Sequence, residues 1–147
     1  MALDEKINSD IKTAMLARDA AKLEALRAVK SAILLLKTSA EGYNDDTELK
    51  ALQKMAKQRK ETAEIYITQN RKDLADVELF QAGIIEAYLP KQMSSEEIKS
   101  EISKIIIAVG ASSAADMGKV MGIASKQLAG KADGKIISAI VKELLSN

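Results

Sequence analysis

The residues best suited to chemistry in this chain lie between Asp116 and Lys135, in the stretches "DMGKVMG" and "GKADGK". Gly118 and Gly122 sit inside a helical pattern, where each costs about 1 kcal/mol against alanine, so a bare backbone there has a use. One turn apart, they make a groove on one helix face that another backbone or a ligand can approach closely. Another helix of the same small bundle is the preferred tenant, and direct contact with a ligand is the alternative. The same stretch carries Lys119, Lys126, Lys131 and Lys135 against Asp133 as its one acid beyond Met117. Lys119 and Lys126 are seven apart and share a helix face, while Lys131 and Lys135 flank the start of the last helix. Free backbone N–H groups and a positive dipole at that start suit a phosphate, and Gly130 and Gly134 add room for close approach. The plain alternative is a solvated lysine surface with glycine caps.

Other chemistries are excluded or unsupported. Cysteine, histidine and tryptophan are absent from all 147 residues, which removes disulfides, thiolates, imidazole bases and the nitrogen and sulfur ligands of zinc sites. No metal and no cofactor is expected. The Gly-Lys pairs do not make a nucleotide-binding loop, which needs G-x-x-x-x-G-K-[ST] after a strand, because both lysines precede apolar residues. Carboxylates are plentiful but lie beside lysines on helix faces, where solvated surface is the default, so no catalytic residue is assigned. With 22 basic and 21 acidic residues the net charge is +1, and any attraction to nucleic acid must be local. The start "MALDEKINSDIK" lacks the order of a signal peptide and no apolar run reaches a membrane span, so a cytoplasmic protein with no membrane partner is expected.

In the first half Arg59 stands out, because the stripe Leu52, Met55, Ala56, Ala63, Tyr66 puts it near an apolar side. An ion pair with Glu78 or Glu86 on the next helix is the preferred reading. The alternative groups Gln58, Arg59 and Lys60 as a partner contact.

The elements that must position these residues are helices. Proline occurs once, at Pro90, and glycines are nearly confined to the second half, which predicts an all-α protein. Residues 1–90 read as an N-terminal domain of about four long helices, and residues 91–147 as a small three-helix bundle. Leu3, Ile7, Ile11 and Met15 stripe the first helix. Asp19 caps the second, where Leu26, Val29, Ile33 and Leu36 face inward and the end from Ile33 to Leu36, apolar all round, is expected to be deeply packed. The third helix starts near Asp46 or Thr47. Asp73 is placed to cap the fourth, with Val77, Phe80, Ile84 and Tyr88 as its inward stripe. Ser94 and Glu97 form a capping box ahead of Ile98, Ile102, Ile105 and Ile106, and Gly110 closes that helix. Ser113 with Asp116 opens the sixth, bearing Met117, Val120, Met121, Ala124 and Leu128 and closed by Gly130. Asp133 caps the seventh, where Ile136, Ile137, Ile140, Val141, Leu144 and Leu145 make a core face.

"YLP" followed by "SSEEI", "VGASSAADMGKVMG" and "GKADGKIISAIVKELL" resembles the GatB/YqeY family, specifically its stand-alone YqeY-like branch. The earlier stretches "IKTAMLARD", "LEALRAVKSAI" and "KQRKETAEIY" resemble that branch too, so the likeness covers essentially the whole chain. It implies a helical N-terminal domain and a tail similar to that of GatB, one component of the tRNA-dependent amidotransferase. That enzyme amidates glutamate or aspartate on tRNA with ammonia from glutamine, and the GatB tail helps hold the tRNA. The family label is accordingly carbon–nitrogen ligase with glutamine as amido-N-donor. Nothing here resembles the catalytic portion of GatB, and glutamine hydrolysis belongs to another component of that enzyme.

The resulting expectation is a non-catalytic accessory that binds or handles tRNA through Lys119, Lys126, Lys131 and Lys135, with the amidotransferase or other aminoacyl-tRNA-handling proteins as partners. A protein-interaction adaptor using the glycine groove or the long helices is the alternative. Amide transfer by the chain alone ranks last. All four aromatic residues, Tyr43, Tyr66, Phe80 and Tyr88, lie before Pro90, so a tail that held RNA would read backbone and shape rather than stack bases.

Overall fold

The computed structural model describes residues 2–146. Among them seven α-helices and one short 3-10 turn account for the regular structure and no strand occurs, so the protein is all-α. Contacts divide the chain into two compact units, with the boundary between Leu89 and Pro90.

The first unit holds α1 (Leu3–Leu16), α2 (Ala20–Thr38), α3 (Asp45–Thr68) and α4 (Lys72–Glu86). Their limits are set by local chemistry. Asp19 caps α2 by accepting from the Lys22 N–H at 3.1 Å. Asn44 and Thr47 form a reciprocal capping box that starts α3 slightly earlier than predicted. Asn70, with φ +58, takes the left-handed turn between α3 and α4 that asparagine tolerates. Asp73 does not cap α4. It lies inside the first turn and binds the guanidinium of Arg71, the cap residue, through two bonds of 3.1 and 3.0 Å.

One core joins all four helices through Ile7, Ala14, Leu26, Val29, Ile33, Leu52, Ala56 and Ile85. Beyond it α3 and α4 run as a close hairpin whose buried contacts are alanines, Ala63, Ala75 and Ala82. Three expectations are overturned here. Leu34 is 52% and Leu35 71% exposed, because four consecutive residues circle a helix whose neighbours cover only the Ile33 side. Val77 and Phe80 also point outward, since α4 turns its alanines, Gln81 and Ile85 inward instead. Met15 likewise ends outside the core, and Ala14 is buried in its place. The Tyr88 hydroxyl donates to Asp10 and ties the end of the unit back to α1, while the Tyr43 hydroxyl donates to Glu48.

The second unit holds α5 (Ser95–Val109), the 3-10 turn Ala114–Asp116, α6 (Met117–Gln127) and α7 (Gly134–Leu145). The predicted caps form: Ser94 and Glu97 exchange bonds at the start of α5, Gly110 ends it at φ +68, and the Asp133 carboxylate accepts from the Lys135 N–H at 3.0 Å. The core is built from Ile98, Ile102, Ile105, Val120, Ala124, Leu128, Ala132, Ile137, Ile140, Val141 and Leu145. Ile136, expected on that face, is half exposed. Gln92 braces the turn before α7 by donating through Nε2 to the Gly130 carbonyl at 2.7 Å, and the Met93 N–H donates to the Lys131 carbonyl at 2.9 Å. Gly130 is buried there with φ +77, a conformation that a side chain rarely tolerates.

Candidate nucleic-acid interface

α6 has two faces of opposite character. Val120 and Ala124 are fully buried in the second unit's core. On the other side Gly118, Lys119, Gly122, Ile123, Lys126 and Gln127 line a shallow furrow of about 440 Å³. That volume falls within the ~300–1,000 Å³ of ligand sites. Every lining residue comes from one helix, however, so the furrow has no opposite wall. Whatever occupies it must bring that wall, which suits a large partner better than a metabolite.

The occupant expected from within the bundle is absent. A Cβ built at Gly118 or at Gly122 meets no atom within 4 Å, so no other element of the described chain lies on the glycines. The helix faces solvent there, and its glycines relieve no internal crowding. The groove reading survives and its preferred tenant does not.

The structure brings together Gly118, Lys119, Gly122 and Lys126, with Ile123 and Gln127 as lining that the sequence reading missed. The signal was available: Ile123 is four residues after Lys119 and three before Lys126, and Gln127 is four after Ile123, so both continue the same side of the helix. Lys131 lies in the turn between α6 and α7 and Lys135 in the first turn of α7; both are exposed and neither lines the furrow. The α7 start is less open to an anion than predicted, because the Asp133 carboxylate already occupies the Lys135 N–H. Gly134 has open space around its Cα, whereas Gly130 serves the braced turn.

Charge pairing also distinguishes this region. Elsewhere Lys37 pairs with Asp4 at 2.6 Å, Lys60 with Glu86 at 2.7 Å and Lys99 with Glu143 at 3.2 Å. Among the described residues Lys119, Lys126, Lys131 and Lys135 enter no ion pair. At the head of α6 the Asp116 carboxylate accepts from the Ser112 and Ser113 N–H groups at 2.9 and 3.3 Å. Those backbone bonds, with a smaller contribution from Lys119, hold it below the usual aspartate range. Asp116 therefore fixes the helix entry as an anion.

The first unit's candidate set comes apart. Arg59 donates through Nε to Gln81 Oε1 at 3.0 Å and through Nη1 to the Met55 carbonyl at 3.3 Å, so its partner is a buried amide and not Glu78 or Glu86. Glu86 goes to Lys60 instead. Gln58 is exposed. Gln81 was missed because it sits in an apolar stretch, and nothing local marks it as the answer to an arginine 22 residues earlier. The most displaced groups are the two tyrosines, raised above the usual phenol range first by burial and then by their carboxylate partners, Tyr88 by Asp10 and Tyr43 by Glu48. Among the described residues no group of three or more acids, histidines or cysteines is arranged to hold a metal ion, and no single helix is long and apolar enough to cross a membrane.

Residues 4–145 match the Yqey-like protein family, almost the whole length described above. The chain belongs to that family. Two curated relatives are both called "Altered inheritance of mitochondria protein 41, mitochondrial". The protein of Meyerozyma guilliermondii is 40% identical over 91 residues, covering 60% of this chain and 48% of the relative. That of Clavispora lusitaniae is 30% identical over 115 residues, covering 77% of this chain and 68% of the relative. The chain thus spans about half the length of the first of these relatives. Neither name specifies a ligand, so the use of the furrow in this Yqey-like chain rests on its own geometry.

Proposed function

We propose that this Yqey-like protein is a non-catalytic RNA-holding accessory whose second unit grips the sugar–phosphate backbone of a folded RNA, tRNA in the first place, along the α6 furrow. One observation carries the reading: Gly118 and Gly122 lie open in one furrow with Lys119 and Lys126, neither of which enters an ion pair among the described residues. Glycine in a helix is a stability cost that internal packing does not recover here, and lysines beside a bare backbone supply what a phosphate needs. Lys131 and Lys135 extend the cationic surface beyond the furrow. The absence of aromatic residues from this unit favours recognition of backbone and shape over base stacking.

Likeness to the amidotransferase tail supports tRNA-handling enzymes, the amidotransferase among them, as the natural companions of such a role. Amide transfer by the chain alone has the least support, since the furrow offers only lysine and glutamine side chains besides glycine and isoleucine.

The test is a titration of total tRNA across salt. Each neutralised phosphate of a duplex adds about −0.9 to the slope of log K against log salt, so four lysines predict a slope of a few units. Lys119→Ala with Lys126→Ala removes up to about 2 of those units, and Lys131→Ala with Lys135→Ala removes less. Salt-insensitive binding, or a slope unchanged by the furrow pair, would sink the RNA reading.

A further inference from the structure

A second surface lies in the first unit and owes nothing to the RNA reading. α2 and α4 enclose a slot of about 230 Å³ lined by Ala21, Glu24, Asp76, Val77, Phe80 and Gln81. It is smaller than the ~300–1,000 Å³ of ligand sites, so it has room for an anchoring side chain rather than a metabolite. Val77 is 52% and Phe80 44% exposed, although both are large and apolar. Their outward position is fixed from behind, because Gln81 turns inward to Arg59 and the alanines of α4 face inward. Leu79 on α4, and Ile65 and Ile67 on α3, are also half exposed. Exposed apolar area of this kind marks an interaction surface.

The rim identifies the partner's chemistry. Glu24 projects from α2 and Asp76 from α4, and among the described residues neither enters an ion pair. The lining holds no lysine or arginine, and Arg59, which binds Gln81 from behind, is committed to that amide and to the Met55 carbonyl. Two unpaired carboxylates beside an aromatic floor repel RNA and anionic lipid and attract an ammonium or guanidinium group. The walls are helix ridges, with residues three apart on α2 and one and four apart on α4, which is the shape that receives another helix.

We infer that the α2–α4 slot docks an amphipathic helix of another protein, one that inserts a large apolar side chain against Phe80 and Val77 and sets lysine or arginine over Glu24 and Asp76.

The probe is a labelled amphipathic leucine–lysine peptide, compared by fluorescence anisotropy with a leucine–glutamate peptide of the same apolar stripe, both against the full chain. The wild type is expected to bind the lysine peptide and not the glutamate peptide. Phe80→Ser should weaken binding about tenfold or more, as loss of a central aromatic anchor does. Glu24→Lys with Asp76→Lys should reverse the preference. Because these positions are exposed, helical circular dichroism should stay at the wild-type level. Failure of the wild type to bind, equal binding by Phe80→Ser, or an unreversed preference overturns the inference. Sedimentation of the chain alone supplies a further outcome: a dimer dissolved by Phe80→Ser would make the slot a contact between copies and also overturn it.

Discussion

The two units solve the same problem, burying one face of each helix, and leave very different surfaces behind. In the second unit isoleucine stripes on α5 and α7 close on Val120 and Ala124, and Ile107 and Ile136 are the large apolar side chains left exposed. What its α6 face exposes is bare backbone and ammonium groups that enter no ion pair among the described residues. In the first unit the core stops partway along α3 and α4, and alanines carry the hairpin onward. Small residues bring two helices close but cannot use up the large side chains beside them, so Val77, Leu79 and Phe80 stay outside. Both units put aside helix stability or burial on one face, and the faces differ in chemistry: cationic and shallow in one unit, apolar with an acidic rim in the other.

The largest effect breaks that comparison if it fails. Ile102→Ala in the second unit should cost about 2–5 kcal/mol, because Ile102 is fully buried and its removal leaves a cavity. Phe80→Ser in the first unit should cost about 1 kcal/mol or less, because nearly half of the residue is already exposed, although phenylalanine is the larger side chain. Denaturant titration of both variants decides it. A Phe80 variant as damaged as the Ile102 variant would mean that Phe80 belongs to a core and not to a surface.

A smaller effect with the opposite sign sharpens the contrast. Gly118→Ala and Gly122→Ala should each raise helix stability by about 0.5–1 kcal/mol, since the new methyl meets nothing within 4 Å. The same substitutions fill the floor of the furrow and should weaken RNA binding. Thermal melts beside tRNA titration read both quantities. Stabilisation with unchanged binding would leave the glycines without a function.

The parts of this picture that were legible in the sequence are those set by local chemistry. Asp19, Ser94 with Glu97, Gly110 and Asp133 mark their helix limits because a cap needs only its own few neighbours. The stripes of α5 and α7 were readable because isoleucine there repeats at helical spacing. The rotation of α4 was not, since it depends on Arg59 finding Gln81 across the hairpin and on alanines setting the approach. Leu34 and Leu35 look like core by composition, but a helix covered on one side cannot bury its whole circumference. At the candidate site, spacing put Gly118, Lys119, Gly122 and Lys126 on one face of α6. Whether a neighbour covered them is a tertiary fact that no spacing contains.

The smallest effect is a pair of pH dependences of opposite sign, an acid one set by caps of the second unit and an alkaline one set by tyrosines of the first. Asp116 and Glu97 cap helices of the second unit, and backbone N–H bonds lead the causes that hold both below the usual carboxylate range. A folded value below the unfolded one means that their contribution is complete above the unfolded value, near 4, and is lost as pH falls through the folded value. Tyr88 and Tyr43 in the first unit are raised, chiefly by burial and then by Asp10 and Glu48. Their contribution is complete below the unfolded phenol value, near 10, and fades as pH rises above it. Asp116→Asn should therefore flatten the loss of stability in acid and leave the alkaline limb alone. Tyr88→Phe should flatten the alkaline limb and leave the acid one. Thermal melts from pH about 2 to about 11 test the pair, and a Tyr88→Phe variant with an unaltered alkaline limb would mean that its bond to Asp10 does not persist in solution.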